Sequence, residues 1–302
     1  MGGLGQKCDW VTWSKKAKKV ERVVDILGWP SRFNFKRSFC WGVKNAIYDS
    51  CLTEAQWAYL KPMLPKPAKR GRPRTDLRRI LDAILYVVKG GIPWRYLPTD
   101  FPPWKTVYHV FRKWTLNHLW AALNDALRTL VRKAQGKRSQ PTAAVLDSQS
   151  VKSAGHGGPV GYDAAKRIKG RKRHMLVDTL GLLLGVAVTS ASSTERAGAQ
   201  VVLGRVLTWF TWLRLLWVDG GYTGATFANW VKELRPKLAV EVVKRSDPTA
   251  GFKVLPRRWV VERTFGWLMH HRRLARDYET SETSAEAWIF IAMIRIQLRR
   301  LA

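Results

Sequence analysis

Acidic residues are scarce in this chain, and their scarcity is its first informative property. Asp and Glu number 22 against 53 Lys and Arg, so the formal net charge is +31 at pH 7. A folded protein with so large an excess of one sign repels itself unless it works beside a polyanion, most commonly duplex DNA. The basic residues lie among aromatic and apolar ones and not in a single tail. This distribution favours a nucleic-acid partner over a solvated basic surface or a membrane-surface protein.

Cysteines and long apolar runs are scarce as well. The three cysteines, Cys8, Cys40 and Cys51, have no metal-site spacing and are expected to be free thiols in a reducing cytoplasm. A transmembrane helix needs about 18 consecutive apolar residues, and the nearest run, residues 287–294, is short and followed by Arg295. The N-terminus lacks the apolar core and cleavage site of a signal peptide. We therefore expect a cytoplasmic protein without a membrane span.

The first 46 residues differ from the rest of the chain. They combine a basic run at 15–19 with scattered Trp and little periodicity. Residues 1–46 are interpreted as an atypical basic extension, either loosely attached or translated from a start upstream of the natural one. A short basic helix at about 15–27 is the competing interpretation.

Helices are predicted for residues 52–135. Thr53 and Gln56 form a capping box that opens a helix reaching about Met63. Further helices are predicted at about 75–89, 103–114 and 116–135. Short helices with a Gly-containing turn and many basic residues fit a helix-turn-helix DNA-binding domain, although ordinary basic helical bundles share these features. In the first interpretation, the helix at 104–114 reads DNA with Lys105, Arg112 and Lys113.

Strand patterns begin after a polar linker at 136–140, and residues 141–302 are predicted to form an α/β domain. The predicted strands and helices alternate in the order β-β-β-α-β-α-β-α, which indicates a sheet covered by helices. The strands are expected at residues 143–146, 173–179, 182–189, 213–218 and 238–244, with helices at 195–210 and 226–234 and two more at the end of the chain.

Three carboxylates in this domain have positions suited to chemistry. Asp147 is predicted to close the first strand, and Asp219 a later buried strand. If those strands are parallel neighbours, about 4.8 Å apart, both carboxylates lie where open α/β sheets bind ligands. Glu262 lies on a predicted helix, with Arg258 four residues before it on the same face. Magnesium prefers oxygen ligands, and a pair of such ions can stabilise attacking and leaving oxygens in phosphodiester exchange.

Each carboxylate also has a purely structural interpretation. Asp147 could cap a turn, and Asp219 precedes a glycine in a common turn signal. Glu262 could simply pair with Arg258 or Arg263. The residue pattern alone therefore leaves the triad open.

A basic segment between residues 166 and 173 has two interpretations as well. Lys169, Arg171, Lys172 and Arg173 could lie on a solvated hairpin arm, or they could contact DNA phosphates beside the carboxylates. We expect His174, at the end of this segment, to pack or form a hydrogen bond and not to bind metal.

Other candidate ligands and acids are assigned structural positions. His270 and His271 are neighbours on a helix, so their side chains do not face a common ligand. Asp163 and Asp178 are interpreted as turn or hairpin residues.

From Leu52 onward the sequence resembles the insertion-sequence DDE transposases of the group typified by insertion sequence five. The resemblance covers about 250 residues in the right order and leaves residues 1–46 without a counterpart. The motifs that carry it are LTEAQW at 52–57, RGRPR at 70–74, GIPWRYLP at 91–98, GYDAAK at 161–166, GRKRH at 170–174, VDTLG at 177–181, DGGY at 219–222 and ERTFGW at 262–267.

This resemblance implies an RNase H-like mixed sheet flanked by helices, preceded by the small all-α domain. It implies that Asp147, Asp219 and Glu262 are the catalytic, metal-binding acids, with Mg²⁺ as cofactor and Mn²⁺ as a possible substitute. Arg258 and Arg263 would hold DNA phosphates or orient Glu262. Relatives often carry a Tyr three residues before the Arg and a Lys seven after the Glu, where this chain has Leu255 and Met269.

The expected function is that of a bacterial DNA transposase, nucleoid-associated when on DNA. It would bind the terminal inverted repeats of its element, cleave the ends with Mg²⁺ and transfer the strands to target double-stranded DNA, as a homo-oligomer during synapsis. Two alternatives remain open at the level of sequence. One is a non-catalytic DNA-binding repressor or inactive transposase remnant, and the other is a nuclease that cuts but does not join.

Overall fold

A computed structural model describes residues 48–67, 73–154, 158–243 and 256–302. The extension at 1–46, with Cys8 and Cys40, lies outside the described residues, as do Leu255 and the middle of the basic loop that follows the first helix. No helix in the described ranges is long and apolar enough to cross a membrane.

The N-terminal part is helical, as predicted. The side chain of Thr53 accepts from the backbone N–H of Gln56, whose side chain accepts from the N–H of Thr53, so the capping box forms. Gly91, with φ of 75°, ends the second helix in the left-handed conformation that glycine adopts without strain. The helices are α1 (Glu54–Leu60, continued by a 3₁₀ turn at Lys61–Met63), α2 (Leu77–Gly90), α3 (Trp104–Leu116) and α4 (Leu119–Ala134).

A mixed six-stranded sheet follows. The long central strand β1 pairs antiparallel with β3 and parallel with β5, which in turn pairs parallel with β6. β3 and β4 form the predicted hairpin, with Gly181 at φ of 79° in its turn. The short β2 pairs with the start of β3 and was not predicted. The strands are β1 (Ala143–Lys152), β2 (Gly161–Asp163), β3 (Ile168–Asp178), β4 (Leu183–Ser190), β5 (Leu215–Val218) and β6 (Ala239–Val242).

Helices cover both faces of this sheet. One buried cluster joins Leu146 and Leu176 of the sheet to Val202 of α5 and Phe227 of α6. The other helices pack on the opposite face. The C-terminal helices are α5 (Glu195–Val206), α6 (Ala225–Leu234), α7 (Pro256–Met269), α8 (Arg272–Ala275) and α9 (Glu282–Leu301). The sheet with helices on both faces agrees with the RNase H-like expectation.

The helical part and the sheet share one hydrophobic core. Leu127 of α4, Val186 of β4 and Trp288 of α9 belong to the same buried cluster. Asn124 of α4 donates to the carbonyl oxygen of Leu183 at 2.9 Å. The linker expected at 136–140 therefore separates two kinds of secondary structure without dividing the core, because α9 returns to pack on α4 and on β4.

Candidate active site

The parallel pairing of β1 with β5 places the two aspartates opposite each other. Ala143 pairs with Leu215 and Val145 with Trp217. The same register, continued two residues, sets Asp147 against Asp219. Asp147 does not close its strand, contrary to prediction, because β3 pairs with β1 as far as Lys152. β5 instead ends at Val218, and its end opens the space beside the Asp147 carboxylate.

Helix α7 adds the third carboxylate. Nη2 of Arg258 lies 3.6 Å from Oε1 of Glu262, one helical turn away. The same nitrogen lies 3.9 Å from Oδ2 of Asp219 and 4.0 Å from Oδ2 of Asp147. The structure thus gathers the three predicted acids around one guanidinium group. We call Asp147, Asp219 and Glu262 the acidic cluster.

Two carboxylates of the acidic cluster are hard to ionise. Burial, and secondarily the negative charge of Asp219, raise the pKa of Asp147 to about 6, although the Ser148 N–H and Arg258 oppose the shift. Burial and then the charge of Glu195 raise the pKa of Asp219, against the Gly221 N–H and Arg258. Raised pKa values of this kind, caused mainly by burial, are common among carboxylates at functional sites.

Glu195 lies beside the acidic cluster and was not predicted as a site residue. Its Oε1 accepts from Oγ of Ser148 at 3.0 Å and lies 3.5 Å from Nζ of Lys166. The same lysine donates to the carbonyl oxygen of Ser148 at 3.3 Å. In the sequence Glu195 merely follows the N-cap Thr194, as acids commonly do in a first helical turn, so no signal set it apart.

Gly221 shows how closely Glu195 approaches Asp219. A β-carbon at position 221 would stand 2.1 Å from Oε2 of Glu195 and 3.2 Å from Oδ1 of Asp219. The two carboxylates therefore flank one point of the backbone. The second glycine of the DGGY motif leaves the room that both carboxylates occupy.

The acidic cluster provides the donor type that a divalent cation requires. Its oxygens already converge on a positive charge, the Arg258 guanidinium. Within the described ranges, however, no three acidic, His or Cys side chains stand close enough to enclose a metal ion. The Arg258 guanidinium occupies the middle of the acidic cluster. The three carboxylates are nevertheless the hard oxygen donors that magnesium and manganese prefer.

Comparison with known proteins decides the family. A model described as the transposase DDE domain matches residues 138–296, more than half of the chain, and this stretch contains the whole acidic cluster. The chain belongs to the DDE transposases. A second model, for IS4/5 family transposases, matches residues 52–124. The chain is therefore a transposase, an enzyme of the polynucleotidyl transferase type that acts on DNA.

Two curated proteins match parts of the chain. "Insertion element IS402 uncharacterized 16.2 kDa protein" of Burkholderia cepacia is 30% identical over 112 residues, which cover 35% of this transposase and 75% of that protein. "Uncharacterized protein y4sN" of Sinorhizobium fredii is 31% identical over 84 residues, covering 28% of the transposase and 65% of the relative. No solved structure matches the chain.

Three basic residues predicted to contact DNA are buried in the transposase. Arg171 pairs with Asp277 at 3.3 Å and donates to the carbonyl oxygens of Glu279 and Thr280. Arg173 is fully buried and donates to the carbonyl oxygen of Leu274 at 2.8 Å. Lys172 pairs with Asp163 at 3.3 Å. The expected phosphate contacts of Arg171, Lys172 and Arg173 do not agree with this burial, because each side chain is committed to acceptors inside the protein.

The remaining predicted DNA contacts are accessible. Lys105, Arg112 and Lys113 are exposed on α3, whose other face is buried, and Lys169 is exposed on β3. Arg263 is partly buried: its guanidinium lies 4.6 Å from the ring centre of Trp267. The exposed face of α3 remains the candidate DNA-reading surface of the transposase.

The residues interpreted as structural have structural contacts. Nε2 of His174 lies 3.0 Å from Oγ1 of Thr189, and burial lowers the pKa of this buried histidine to about 4. Asp178 accepts from the N–H groups of Leu180 and Leu182 in the β3–β4 turn. Met269, where relatives carry Lys, is exposed at the end of α7.

Proposed function

We propose that this transposase binds the terminal inverted repeats of its own element, cleaves the element ends with Mg²⁺, and joins the freed 3′-OH ends to target DNA. The observation that carries the proposal is the convergence of Asp147, Asp219 and Glu262 on a single cation, Nη2 of Arg258. Divalent metal ions are general in DDE transposase domains, and the acidic cluster has the oxygen donors for them.

Each member of the acidic cluster has a role in this proposal. Asp147 and Asp219, which face each other across the parallel strand pair, would hold the metal ions together with Glu262 of α7. When bound there, magnesium or manganese lowers the pKa of the attacking water and stabilises the charge of the leaving oxygen. No general-base side chain is required.

Two basic side chains balance the acids before substrate arrives. Arg258 is partly buried among the three carboxylates, and Lys166 lies between Glu195 and the Ser148 carbonyl. With metal ions bound at the acidic cluster, Arg258 and Lys166 would be available to hold DNA phosphates, because a guanidinium or ammonium group pairs with phosphate as it does with carboxylate.

DNA recognition is assigned to the N-terminal helices. The α3 side chains Lys105, Arg112 and Lys113 are exposed together on one helix, and a helix of this kind fits the major groove. Two element ends are processed together, so we propose that at least two copies of the chain assemble during synapsis.

The test is cleavage of a labelled duplex that carries the DNA flanking the gene. Wild-type protein is compared in Mg²⁺, in Mn²⁺ and in EDTA with the variants Asp147→Asn and Glu262→Gln. Glu233→Gln serves as the matched charge control, because Glu233 is exposed on α6 and lies outside the acidic cluster. We expect metal-dependent cuts at the element ends that both cluster variants lose and the control keeps. Cutting that persists in Asp147→Asn would overturn the assignment.

The products distinguish the alternatives. Joined molecules in which the element end is linked to target DNA establish strand transfer, whereas cuts without joining indicate a nuclease. Salt-sensitive binding without metal-dependent cuts indicates a repressor or an inactive remnant.

A further inference from the structure

A cavity of about 440 Å³ lies between the N-terminal helices and the segment that joins α8 to α9. One wall comes from the GIPWRYLP motif at 91–98, for which the transposase chemistry above provides no role. Seven residues line the cavity, four aromatic, two cationic and one proline: Trp94, Trp104, Tyr108, Tyr278, Arg95, Arg273 and Pro93.

The aromatic rings of the cavity are only partly used for packing. Trp94 packs toward the core against Trp288, with ring centres 5.4 Å apart, and forms the floor. Tyr108 and Tyr278 are 37% and 38% exposed. Tyr108 lines the cavity from α3, and Tyr278 lines it from the segment that joins α8 to α9. Tyr108 meets Trp94 edge to face at 5.5 Å. Arg273 lies over the Tyr278 ring, with its guanidinium 5.6 Å from the ring centre. A cavity of this size lined by partly exposed rings suits a flat aromatic ligand that stacks on them.

The charges around the cavity indicate an anionic ligand. Arg95 is exposed with its guanidinium 5.2 Å from the ring centre of Trp104, and Lys105 lies beside the same ring. Arg273 is different, because it is buried and forms an ion pair with Glu279 at 2.5 Å. It lines the cavity, but its charge is already paired within the protein. A ligand with a flat apolar centre and flanking negative groups matches this arrangement.

We propose that the cavity binds an unpaired nucleobase of the element-end DNA, stacked between Trp104, Tyr108 and Tyr278, with the neighbouring phosphates on Arg95 and Lys105. The proposal rests on the proposed function in one respect, namely that the chain engages the ends of its element. Because stacking on an aromatic ring tolerates every base, the site selects an unpaired base and not a sequence.

The sheet fixes the separation between this cavity and the acidic cluster. β1 runs from Asp147 to Lys152, and the next residue, Ser153, bridges Asp277, which directly precedes Tyr278. At about 3.3 Å per strand residue, these six steps span roughly 20 Å. Stacked nucleotides of one strand are about 3.4 Å apart. The captured base is therefore about six nucleotides from the scissile phosphate.

The proposal is tested with a duplex that carries one bulged 2-aminopurine, whose fluorescence falls when it stacks. The duplex contains the gene-flanking DNA, and EDTA prevents cleavage. A bulged abasic site in the same position keeps the flexible backbone without the base, and a fully paired duplex completes the set. We expect the bulged base to bind about tenfold more tightly than the bulged abasic site, with quenched fluorescence.

Variants locate the effect. Tyr108→Ala combined with Tyr278→Ala should remove the tenfold preference and the quenching, and Tyr278→Leu, which keeps apolar bulk, should reduce both. Trp212→Ala is the matched control, because Trp212 is 56% exposed and lies outside the cavity. Equal affinity for base and abasic site, or a preference that survives the double variant, would overturn the proposal.

A positional scan tests the distance. Quenching should be strongest with the bulge about six nucleotides from the cleavage position, and equal quenching at every position would contradict this distance.

The outcome is separable from that of the proposed function. If the chain captures the base but cuts no DNA, the proposal for the cavity is supported and the catalytic assignment is not. A chain that cuts the ends but binds the bulged base and the abasic site equally well supports the catalytic assignment and overturns the proposal for the cavity. If the cavity instead receives a side chain of a second copy, the double variant weakens self-association and shows no base preference, which overturns the proposal.

Discussion

Gly198 on α5 lies directly against the imidazole ring of His174 on β3. A β-carbon at position 198 would stand 2.1 Å from Cε1 and from Nε2 of that ring. The ring is fully buried and Nε2 contacts Oγ1 of Thr189, so it has no room to move aside. This close contact holds α5 against the sheet. Glu195, one helical turn before Gly198, thereby reaches Ser148 beside the acidic cluster.

Replacing Gly198 with alanine should destabilise the fold. The new methyl group overpacks a filled site, and we expect the free energy of unfolding to fall by about 1–3 kcal/mol. Gly204 lies on the same helix with open space around its β-carbon position. There the alanine change should raise stability by about 0.5–1 kcal/mol, because glycine is a poor helix former. Urea unfolding of both variants measures the difference, and equal effects at both sites would show that the contact with His174 imposes no limit.

His174 should make the fold sensitive to mild acid. Its folded pKa is about 4, below the usual 6.5, because burial disfavours the charged ring. The unfolded chain therefore binds more protons between those values, so stability is full above pH 6.5 and is lost as pH falls toward 4. The loss is on the order of 3 kcal/mol. Urea unfolding at pH 7.5 and at pH 5 measures how much the free energy of unfolding changes with pH. We expect this change to be smaller in His174→Gln than in the wild type. In the control His109→Gln, at an exposed position, the change should equal that of the wild type. If His174→Gln loses as much stability between pH 7.5 and pH 5 as the wild type does, His174 is not the cause of the acid sensitivity.

Two basic residues of β3 should affect different properties of the protein: Arg171 its stability and Lys169 its binding to DNA. Arg171→Ala leaves the buried Asp277 carboxylate without its partner, which should cost about 3–5 kcal/mol of unfolding free energy. Lys169 is exposed, so Lys169→Ala should change stability by less than about 0.5 kcal/mol. If Lys169 contacts a phosphate, its variant should also weaken DNA binding and reduce the salt dependence. Loss of DNA affinity in a stably folded Arg171→Ala protein would contradict this division.

Metal binding should weaken in mild acid. A protonated carboxyl group does not bind a divalent cation, and the pKa of Asp147 is about 6. The affinity for Mn²⁺, measured by titration calorimetry without DNA, should be nearly constant above pH 7 and fall about tenfold from pH 7 to pH 5. In Glu195→Gln the pKa of Asp219 should fall, because the Glu195 charge raises it, so Asp219 should stay ionised to lower pH than in the wild type. A pH-independent affinity would show that Asp147 is no ligand.

The sequence was sufficient to predict the elements that depend on local patterns. The capping box at Thr53, the hairpin around Gly181 and the helices on both sides of the linker have the predicted types, because capping, turn geometry and periodicity are local properties. The strand ends at Asp147 and Asp219 could be proposed from the sequence, since each follows a short apolar run, but the parallel pairing of their strands came from the structure. The end of β1 could not be located, because residues 148–152 are polar and their pairing partner is β3.

Only the tertiary structure decided which polar residues are buried and which lie together. Arg171 and Arg173 look like members of a solvated basic arm, yet their acceptors are carbonyl groups of the segment around residues 274–280, about a hundred residues later. Glu195 is an ordinary helix-start acid until Gly198 brings α5 onto β3. By itself the sequence determined the charge and most of the elements, since these depend on composition and short-range order, and it carried the family resemblance through which Asp147, Asp219 and Glu262 were predicted as the three acids. The packing determined the fourth carboxylate, the buried arginines, the shared core and the aromatic cavity, because each depends on contacts between residues distant along the chain.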